Sequence, residues 1–212
     1  MAVESAVLNV NPTPIGVYKN KNQRRDRDLI VSSLERLSPS FERDGISRYE
    51  DEGCFLSTEA KVSVLRDWIE ACAEDFARNV LKLEFEGKLN VSNSWLNKSS
   101  AQGTQGCHMH ANAVLSGTYY VKRKKCHSPI VFFRGEQLAW PTRPSFHLEA
   151  SEQGPYNSHT AVEPNEGDLL LWSSEVLHGY PPSGADGRIS LSMNFLPERL
   201  PHLYGFQISK RR

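Results

Sequence analysis

The sequence predicts an α+β fold that is mainly β, in which supporting helices come first and a jelly-roll of about eight strands follows. Two observations predict it. Up to residue 87, apolar residues recur at the three- and four-residue spacing of amphipathic helices. From residue 88 onward, short apolar runs alternate with turns rich in glycine, proline, asparagine and serine, which is typical of a sandwich or barrel. The apolar runs cover residues 89–96, 113–121, 129–133, 160–162, 167–172 and 188–196.

The N-terminal part begins with a short apolar run at 6–10, which predicts a strand, and residues 27–37 then show helical spacing. Ser38-Pro39 should end this helix, because the residue before a proline disfavours the helical conformation. A longer helix follows, with Ser57 or Thr58 as its cap. Its apolar stripe predicts a face that packs against a sheet and consists of Val64, Leu65, Trp68, Ile69, Cys72, Phe76, Val80 and Leu81. We expect one domain over residues 1–212, divided into an N-terminal segment (1–87) and a jelly-roll core (88–212).

Composition limits the classes of function. The 212 residues carry 25 Lys and Arg against 25 Asp and Glu, so no net charge attracts nucleic acid or anionic membranes. The N-terminus lacks the basic start and apolar core of a signal peptide, and no apolar run approaches the ~20 residues that span a bilayer. None of the four cysteines is spaced as C-x-x-C. We therefore expect a cytoplasmic protein without nucleic-acid or membrane partners, in which an exposed sheet edge or the N-terminal helices could form a homodimer interface.

Histidines give the strongest functional signal. His108 and His110 are two residues apart at the front of a predicted strand, so their side chains should point to the same face. A third histidine, His178, follows the apolar run 167–172, and Arg188 comes ten residues later. Imidazole is a common ligand of divalent transition metals. Three convergent imidazoles and a buried arginine predict a metal site that works with a carboxylate-bearing co-substrate.

Four motifs in order along the chain carry a resemblance to a known family. They are His-x-His at 108–110, Leu-Ser-Gly-x-Tyr-Tyr-Val at 115–121, Gly-Asp-Leu-Leu-Leu-Trp-x-Ser at 167–174 running on to His178, and Arg-Ile-Ser-x-Ser-x-Asn-Phe at 188–195. Together they resemble the iron(II)/2-oxoglutarate-dependent oxygenases, and more narrowly a branch of these enzymes related to prolyl hydroxylases. The resemblance covers just over half of the chain, toward its C-terminus.

The resemblance implies a double-stranded β-helix, the cupin-like form of the jelly-roll, with iron held by a His-x-Asp/Glu pair and a distant histidine. By position, His108 is the first ligand, His178 is the distant one, and His110 stands where the family carries a carboxylate. Two alternatives stay open. Either His110 is a ligand in an all-histidine site, or the frame shifts so that His110 and Asn112 form the pair and His108 lies outside. Imidazole binds iron more strongly than a neutral amide oxygen does, which favours the all-histidine set.

The resemblance also implies the residues that bind 2-oxoglutarate. Arg188 should pair with its far carboxylate, a bidentate contact for which the guanidinium fork is well shaped. Tyr120 should donate a hydrogen bond to the same carboxylate, and Ser190 shares the face of Arg188 and could add a hydroxyl. Asn97 and Asn194 are further pocket candidates. An apolar wall that excludes water is expected from Leu115, Val131, Phe133 and Trp172.

The function that follows is an iron(II)- and 2-oxoglutarate-dependent dioxygenase, which would use O₂ to hydroxylate an unknown substrate and release succinate and CO₂. Two alternatives are a cupin-like all-histidine iron oxygenase that needs no 2-oxoglutarate, and a non-catalytic jelly-roll that binds a ligand or partner. Arg188 could instead form a buried ion pair with Asp168. The loop 140–144, which contains Trp and Arg, could be a substrate-facing lid or a plain surface loop.

Overall fold

The computed structural model describes residues 13–50, 53–133 and 159–199, and within these ranges the chain forms eleven strands and three α-helices. The strands are β1 (Gly16–Lys19), β2 (Phe41–Arg43), β3 (Ile46–Tyr49), β4 (Glu86–Ser99), β5 (Gln105–His108), β6 (Leu115–Lys122), β7 (Ile130–Phe133), β8 (His159–Val162), β9 (Asp168–Ser173), β10 (His178–Tyr180) and β11 (Arg188–Arg199). The helices are α1 (Gln23–Leu34), α2 (Phe55–Thr58) and α3 (Ser63–Asp75), with a 3₁₀ turn at Ala60–Val62 and a π-helical turn at Phe76–Val80. None of these helices is long and apolar enough to cross a membrane.

The strands form two antiparallel sheets. The larger sheet has seven strands in the order β1-β9-β6-β11-β4-β3-β2, and the smaller has four in the order β5-β10-β7-β8. The eight strands from β4 to β11 divide evenly between the two sheets, which is the arrangement of a jelly-roll. The predicted class, mainly β with supporting helices before the jelly-roll strands, is confirmed.

The helices cover one face of the larger sheet. Leu65, Ile69 and Phe76 are at most 1% exposed and pack with Leu191 and Phe195 of β11 in one apolar cluster. Successive side chains of a strand point to opposite faces, so the intervening side chains of β11 face the smaller sheet. Helix packing therefore leaves the inner face of the larger sheet to line a site.

The helical segments differ from the sequence prediction in their bounds. Residues 55–58 form the separate helix α2, so Ser57 and Thr58 do not cap the long helix, which begins at Ser63. Val64 and Val80 of the predicted stripe are 58% and 48% exposed. Val64 lies about 100° around the helix from its buried neighbour Leu65, because an α-helix has 3.6 residues per turn.

Several short strands were not anticipated by the apolar pattern. The hairpin of β2 and β3 turns at Asp44-Gly45, where both residues have positive φ (52° and 73°), and Asp-Gly is a recognised hairpin signal that could have revealed it. β1 and this hairpin extend the larger sheet at its two ends. The strand predicted at 6–10 and the loop 140–144 lie outside the described residues.

Replacing Ile69 with alanine should lower the free energy of unfolding by about 2–5 kcal/mol, because its fully buried side chain would leave a cavity between α3 and the larger sheet. Val64→Ala, on the exposed side of the same helix, should change it by less than about 0.5 kcal/mol. Urea denaturation followed by circular dichroism measures both. Equal effects of the two substitutions would contradict the packing described here.

Candidate metal centre

Three imidazoles converge between the two sheets, as the sequence predicts. His178 begins β10 and lies directly opposite His108, the last residue of β5, in the antiparallel ladder. His110 follows β5, and its backbone N–H donates a 2.9 Å hydrogen bond to the carbonyl of Ser174. The ring centroids lie 4.4 Å (108–178), 5.0 Å (108–110) and 5.3 Å (110–178) apart.

Two of the imidazoles are oriented by hydrogen bonds to the backbone. Nδ1 of His108 lies 2.8 Å from the carbonyl oxygen of Gly106, and Nδ1 of His178 lies 2.8 Å from that of Val176. A carbonyl oxygen only accepts, so Nδ1 must carry the proton in both rings. This tautomer leaves Nε2 with its lone pair, which is the usual arrangement of a metal-binding histidine.

The environment keeps two of the imidazoles uncharged. Burial lowers the pKa of His178 to about 4, and the neighbouring histidines add to the effect. Burial also lowers the pKa of His110 to about 4, helped by the charges of His108 and Arg48. A metal ligand must be deprotonated, so these two rings are ready to bind a metal at neutral pH.

The histidine cluster fits a divalent metal. One ligand atom from each ring can be chosen so that the three atoms lie within 4.8 Å of one another. Nitrogen ligands at about 2.1 Å from one ion are roughly 3–3.5 Å apart, so small side-chain rotations would complete the site. Asn112 lies exposed in the turn after His110 and is not part of the cavity lining. The geometry therefore favours the all-histidine set over the shifted frame.

A cavity with an empty volume of about 510 Å³, including its mouth, opens beside the histidines. Its floor is the inner face of the larger sheet, where Asn97 of β4, Ser190 of β11 and Tyr120 of β6 are direct cross-strand partners. All three line the cavity, as do the three histidines and Arg188. Asn194 does not line it, but accepts a 2.7 Å hydrogen bond from Ser116, which does.

Arg188 is a buried cation that has no anionic partner among the described residues. Its side chain is among the most buried in the described residues, at 2% exposure, and its Nε and Nη1 have no hydrogen-bond partner there. The alternative ion pair with Asp168 is wrong, because that carboxylate accepts hydrogen bonds from the backbone and side-chain nitrogens of Asn165. Buried polar groups are normally satisfied, so these nitrogens fit a carboxylate ligand.

Tyr120 adds a hydroxyl at the same end of the cavity. The Arg188 guanidinium carbon lies 5.5 Å from the centre of its ring, and the Tyr120 hydroxyl likewise lacks a partner among the described residues. Burial raises the pKa of Tyr120, although the charges of Arg188 and Arg123 oppose the rise. The phenol therefore keeps its proton and can donate a hydrogen bond to an anion. Tyr119 points the opposite way, into the cluster under the helices.

The apolar wall differs from the sequence prediction. Trp172 lines the cavity as expected, whereas Leu115 belongs to the cluster under the helices. On β7 the inward side chains are Ile130 and Phe132, which join Trp172 in the inter-sheet cluster. The predicted pair, Val131 and Phe133, is out of phase by one residue. Strand alternation gives two faces but does not say which one is inside.

Two aromatic residues of the cavity were missed. Tyr180 stacks on Arg188, with the guanidinium carbon 4.1 Å from its ring centre. A bulge places Tyr180 opposite Gln105, one residue out of register with the pair formed by His178, and no local sequence signal predicts this shift. Trp95 also lines the cavity, with its ring 6.0 Å from that of His110. It lies two residues before Asn97 on β4, so alternation from Asn97 could have identified it.

Comparisons with known proteins agree with this site. Residues 93–194, which include all three histidines and Arg188, match a family described as "Putative 2OG-Fe(II) oxygenase". This match confirms the resemblance inferred from the motifs, and the matched segment spans just under half of the chain. A comparison with curated proteins gives no match.

Several solved structures share the fold. HygX from Streptomyces hygroscopicus, determined with nickel, 2-oxoglutarate and hygromycin B bound, aligns with a TM-score of 0.61 and 13% identity over 87% of this chain and 83% of that one. A prolyl-4-hydroxylase from Pseudomonas putida gives 0.57 and 14% over 87% and 93%. The α-ketoglutarate-dependent epimerase SnoN from nogalamycin biosynthesis gives 0.61 and 12% over 88% and 77%. At these identities the likeness establishes a common double-stranded β-helix fold.

Substituting His110 with alanine removes one of the three proposed ligands. Loss of a residue that only hydrogen-bonds a ligand lowers metal affinity roughly 10–100-fold, so loss of the ligand itself should lower it by more. Asn112→Ala should leave the affinity within about twofold of the parent, as it removes only an exposed turn side chain. Calorimetric titration with Co²⁺ measures both affinities. The opposite ranking of the two variants would identify the shifted frame as the correct one.

Proposed function

We propose that this protein is an iron(II)- and 2-oxoglutarate-dependent oxygenase that oxidises a C–H bond of its substrate. The observation that carries the proposal is the pairing of two features in one cavity. A three-histidine cluster lies at one side, and the Arg188 guanidinium, whose Nε and Nη1 have no partner among the described residues, lies with the Tyr120 hydroxyl at the inner end. The family match agrees with both features.

In this proposal His108, His110 and His178 hold iron(II) through imidazole nitrogens. Bound together, iron and 2-oxoglutarate supply the activation of O₂, and the reaction releases succinate and CO₂. The three ligands are uncharged, whereas a ligand set containing a carboxylate would cancel one positive charge. The ion would therefore keep its full charge toward a dianionic co-substrate, which strengthens their attraction inside a poorly solvated cavity.

The remaining residues bind and orient the co-substrate. Arg188 donates two hydrogen bonds from its fork to the far carboxylate, and Tyr120 donates a third. Ser190 lies two residues after Arg188 on β11, directly opposite Tyr120 of β6, and offers a further hydroxyl. The ring of Tyr180 holds the guanidinium plane in place. Asn97 forms part of the polar floor, where its amide donates to the Ser192 hydroxyl at 3.2 Å, and Asn194 acts only through its hydrogen bond to Ser116.

Apolar side chains keep water from the reacting centre. The Trp172 ring lies 4.8 Å from that of His178 and 5.2 Å from that of Phe132, both centroid to centroid. Excluding water strengthens the electrostatic contacts within the cavity and limits side reactions. Hydroxylation is the reaction we propose. A cytoplasmic location and a homodimer remain predictions from the sequence.

The proposal is tested by incubating the iron-loaded protein with 2-oxoglutarate and O₂ and measuring succinate. We expect slow succinate formation that requires iron and accelerates when a substrate is present. Because one protein of similar fold is an epimerase, products should be analysed for isomers as well as hydroxylated compounds. Iron binding without 2-oxoglutarate binding would favour the all-histidine oxygenase that needs no co-substrate. Failure to bind any divalent metal would favour a binding module.

Arg188→Ala should weaken 2-oxoglutarate binding to the metal-loaded protein by roughly 30-fold or more, because it removes the buried partner of the far carboxylate. The affinity for 2-oxobutyrate, which lacks that carboxylate, should change far less. Arg199→Ala, an exposed position on the same strand, serves as the matched control and should affect neither ligand. Calorimetry with both keto acids gives the comparison. Equal 2-oxoglutarate affinity in Arg188→Ala and the parent would rule out this role.

A further inference from the structure

A second arginine shares the inner sheet face with the proposed co-substrate residues. Arg48 of β3 lies directly opposite Asn97 of β4 in the antiparallel ladder. Asn97 is in turn opposite Ser190, and Ser190 is opposite Tyr120. Direct cross-strand partners point to the same face, so these four side chains form one row across the sheet.

The row has an arginine near each end. Adjacent strands are about 4.8 Å apart, so the backbone of Arg48 is roughly 14 Å from that of Tyr120 at the far end. A single 2-oxoglutarate carboxylate bound by Tyr120 and Arg188 is out of contact with Arg48. Arg48 therefore lies at the opposite end of the row from Tyr120, away from the residues proposed to bind 2-oxoglutarate.

The contacts of Arg48 place it beside the metal centre. Its guanidinium carbon lies 4.3 Å above the ring of Trp95, and that ring lines the cavity 6.0 Å from the ring of His110. The stacking fixes the plane of the guanidinium and holds it against Trp95, which lines the cavity, whereas Arg48 itself is not part of the lining. The side chain is 33% exposed, so a ligand entering from the mouth can reach it.

The hydrogen bonds of Arg48 are incomplete. One terminal nitrogen donates to the Glu50 carboxylate at 2.8 Å, whereas Nε is buried and has no partner among the described residues. An arginine that served only to brace Trp95 would be expected to have its buried donor satisfied. Glu50 is itself 26% exposed, so solvent weakens its neutralising effect.

We propose that Arg48, held on the face of Trp95, forms a subsite for an anionic group of the primary substrate. The inference rests on the proposed function, since it assumes that the histidines hold the reacting metal. A carboxylate or phosphate oxygen accepts from the part of the guanidinium that Glu50 and Trp95 leave exposed, while the rest of the substrate extends toward the histidines. The substrate class is accordingly a small molecule or chain segment that carries an acidic group near the oxidised carbon.

The subsite is tested with a matched pair of probes, N-acetylglycine and its neutral amide N-acetylglycinamide. The protein is loaded with Mn²⁺, saturated with 2-oxoglutarate to occupy the Arg188 end, and mixed with each probe in excess. Paramagnetic relaxation of the acetyl methyl protons reports weak binding close to the metal. We expect the acid to bind about tenfold more tightly than the amide, as one charge-assisted hydrogen bond provides.

Three variants decide between the subsite and a structural role. Arg48→Gln should abolish the preference for the acid, and Glu50→Gln should increase it by removing the competing carboxylate. Arg43→Gln, an exposed arginine of the same hairpin, should leave the preference unchanged. Calorimetric 2-oxoglutarate binding checks that each variant is folded and that the proposed function stands.

Absence of a preference for the acid in the parent protein, or a preference that survives Arg48→Gln, overturns the inference. If either occurs while 2-oxoglutarate still binds, the subsite is wrong and the proposed function is not. If the parent binds no 2-oxoglutarate, the proposed function itself fails.

Discussion

The antiparallel pairing of β5 with β10 is the constraint on which the site depends. It sets His178 opposite His108, although 70 positions of chain separate them, and so brings together the first two imidazoles of the cluster. Close opposition of this kind comes from backbone hydrogen bonds, which do not depend on the side chains themselves. The third imidazole joins them because the backbone N–H of His110 donates a hydrogen bond to the carbonyl of Ser174, which lies just before β10. Side-chain hydrogen bonds to Gly106 and Val176 then orient two of the rings.

Charge is distributed unevenly around this cluster. Burial keeps His110 and His178 neutral, and the buried Arg188 guanidinium lines the same cavity. Burying the Arg188 guanidinium without an anion is costly, and a carboxylate ligand removes that cost. A site of this composition is therefore better suited to anions than to neutral molecules. The affinity for the co-substrate and the stability of the loaded protein should be linked, because a ligand bound only by the native state stabilises it.

The larger sheet separates structural from functional residues by its two faces. On β6, Tyr119 packs under the helices with its ring edge toward Trp68, while its neighbour Tyr120 faces the cavity. On β9, Leu169 and Leu171 belong to the helix-side cluster, and Trp172 belongs to the inter-sheet cluster. Helix packing on the outside allows the inside to carry polar side chains, because the apolar burial that stabilises the domain is achieved elsewhere.

The sequence by itself determined the class of fold, the identity of the three histidines, and the arginine that follows them. These features depend on local patterns: the spacing of apolar residues, the two-residue spacing of His108 and His110, and short motifs in a fixed order. It also predicted that Tyr120 faces the pocket. Tertiary structure decided what depends on pairing between distant segments. Strand register decides which face of β7 is inside and forms the bulge that brings Tyr180 onto Arg188. It also sets the pairing of β3 with β4, which brings Arg48 to the cavity side of the larger sheet. Register arises from contacts between strands far apart in the chain, and a local pattern contains no information about them.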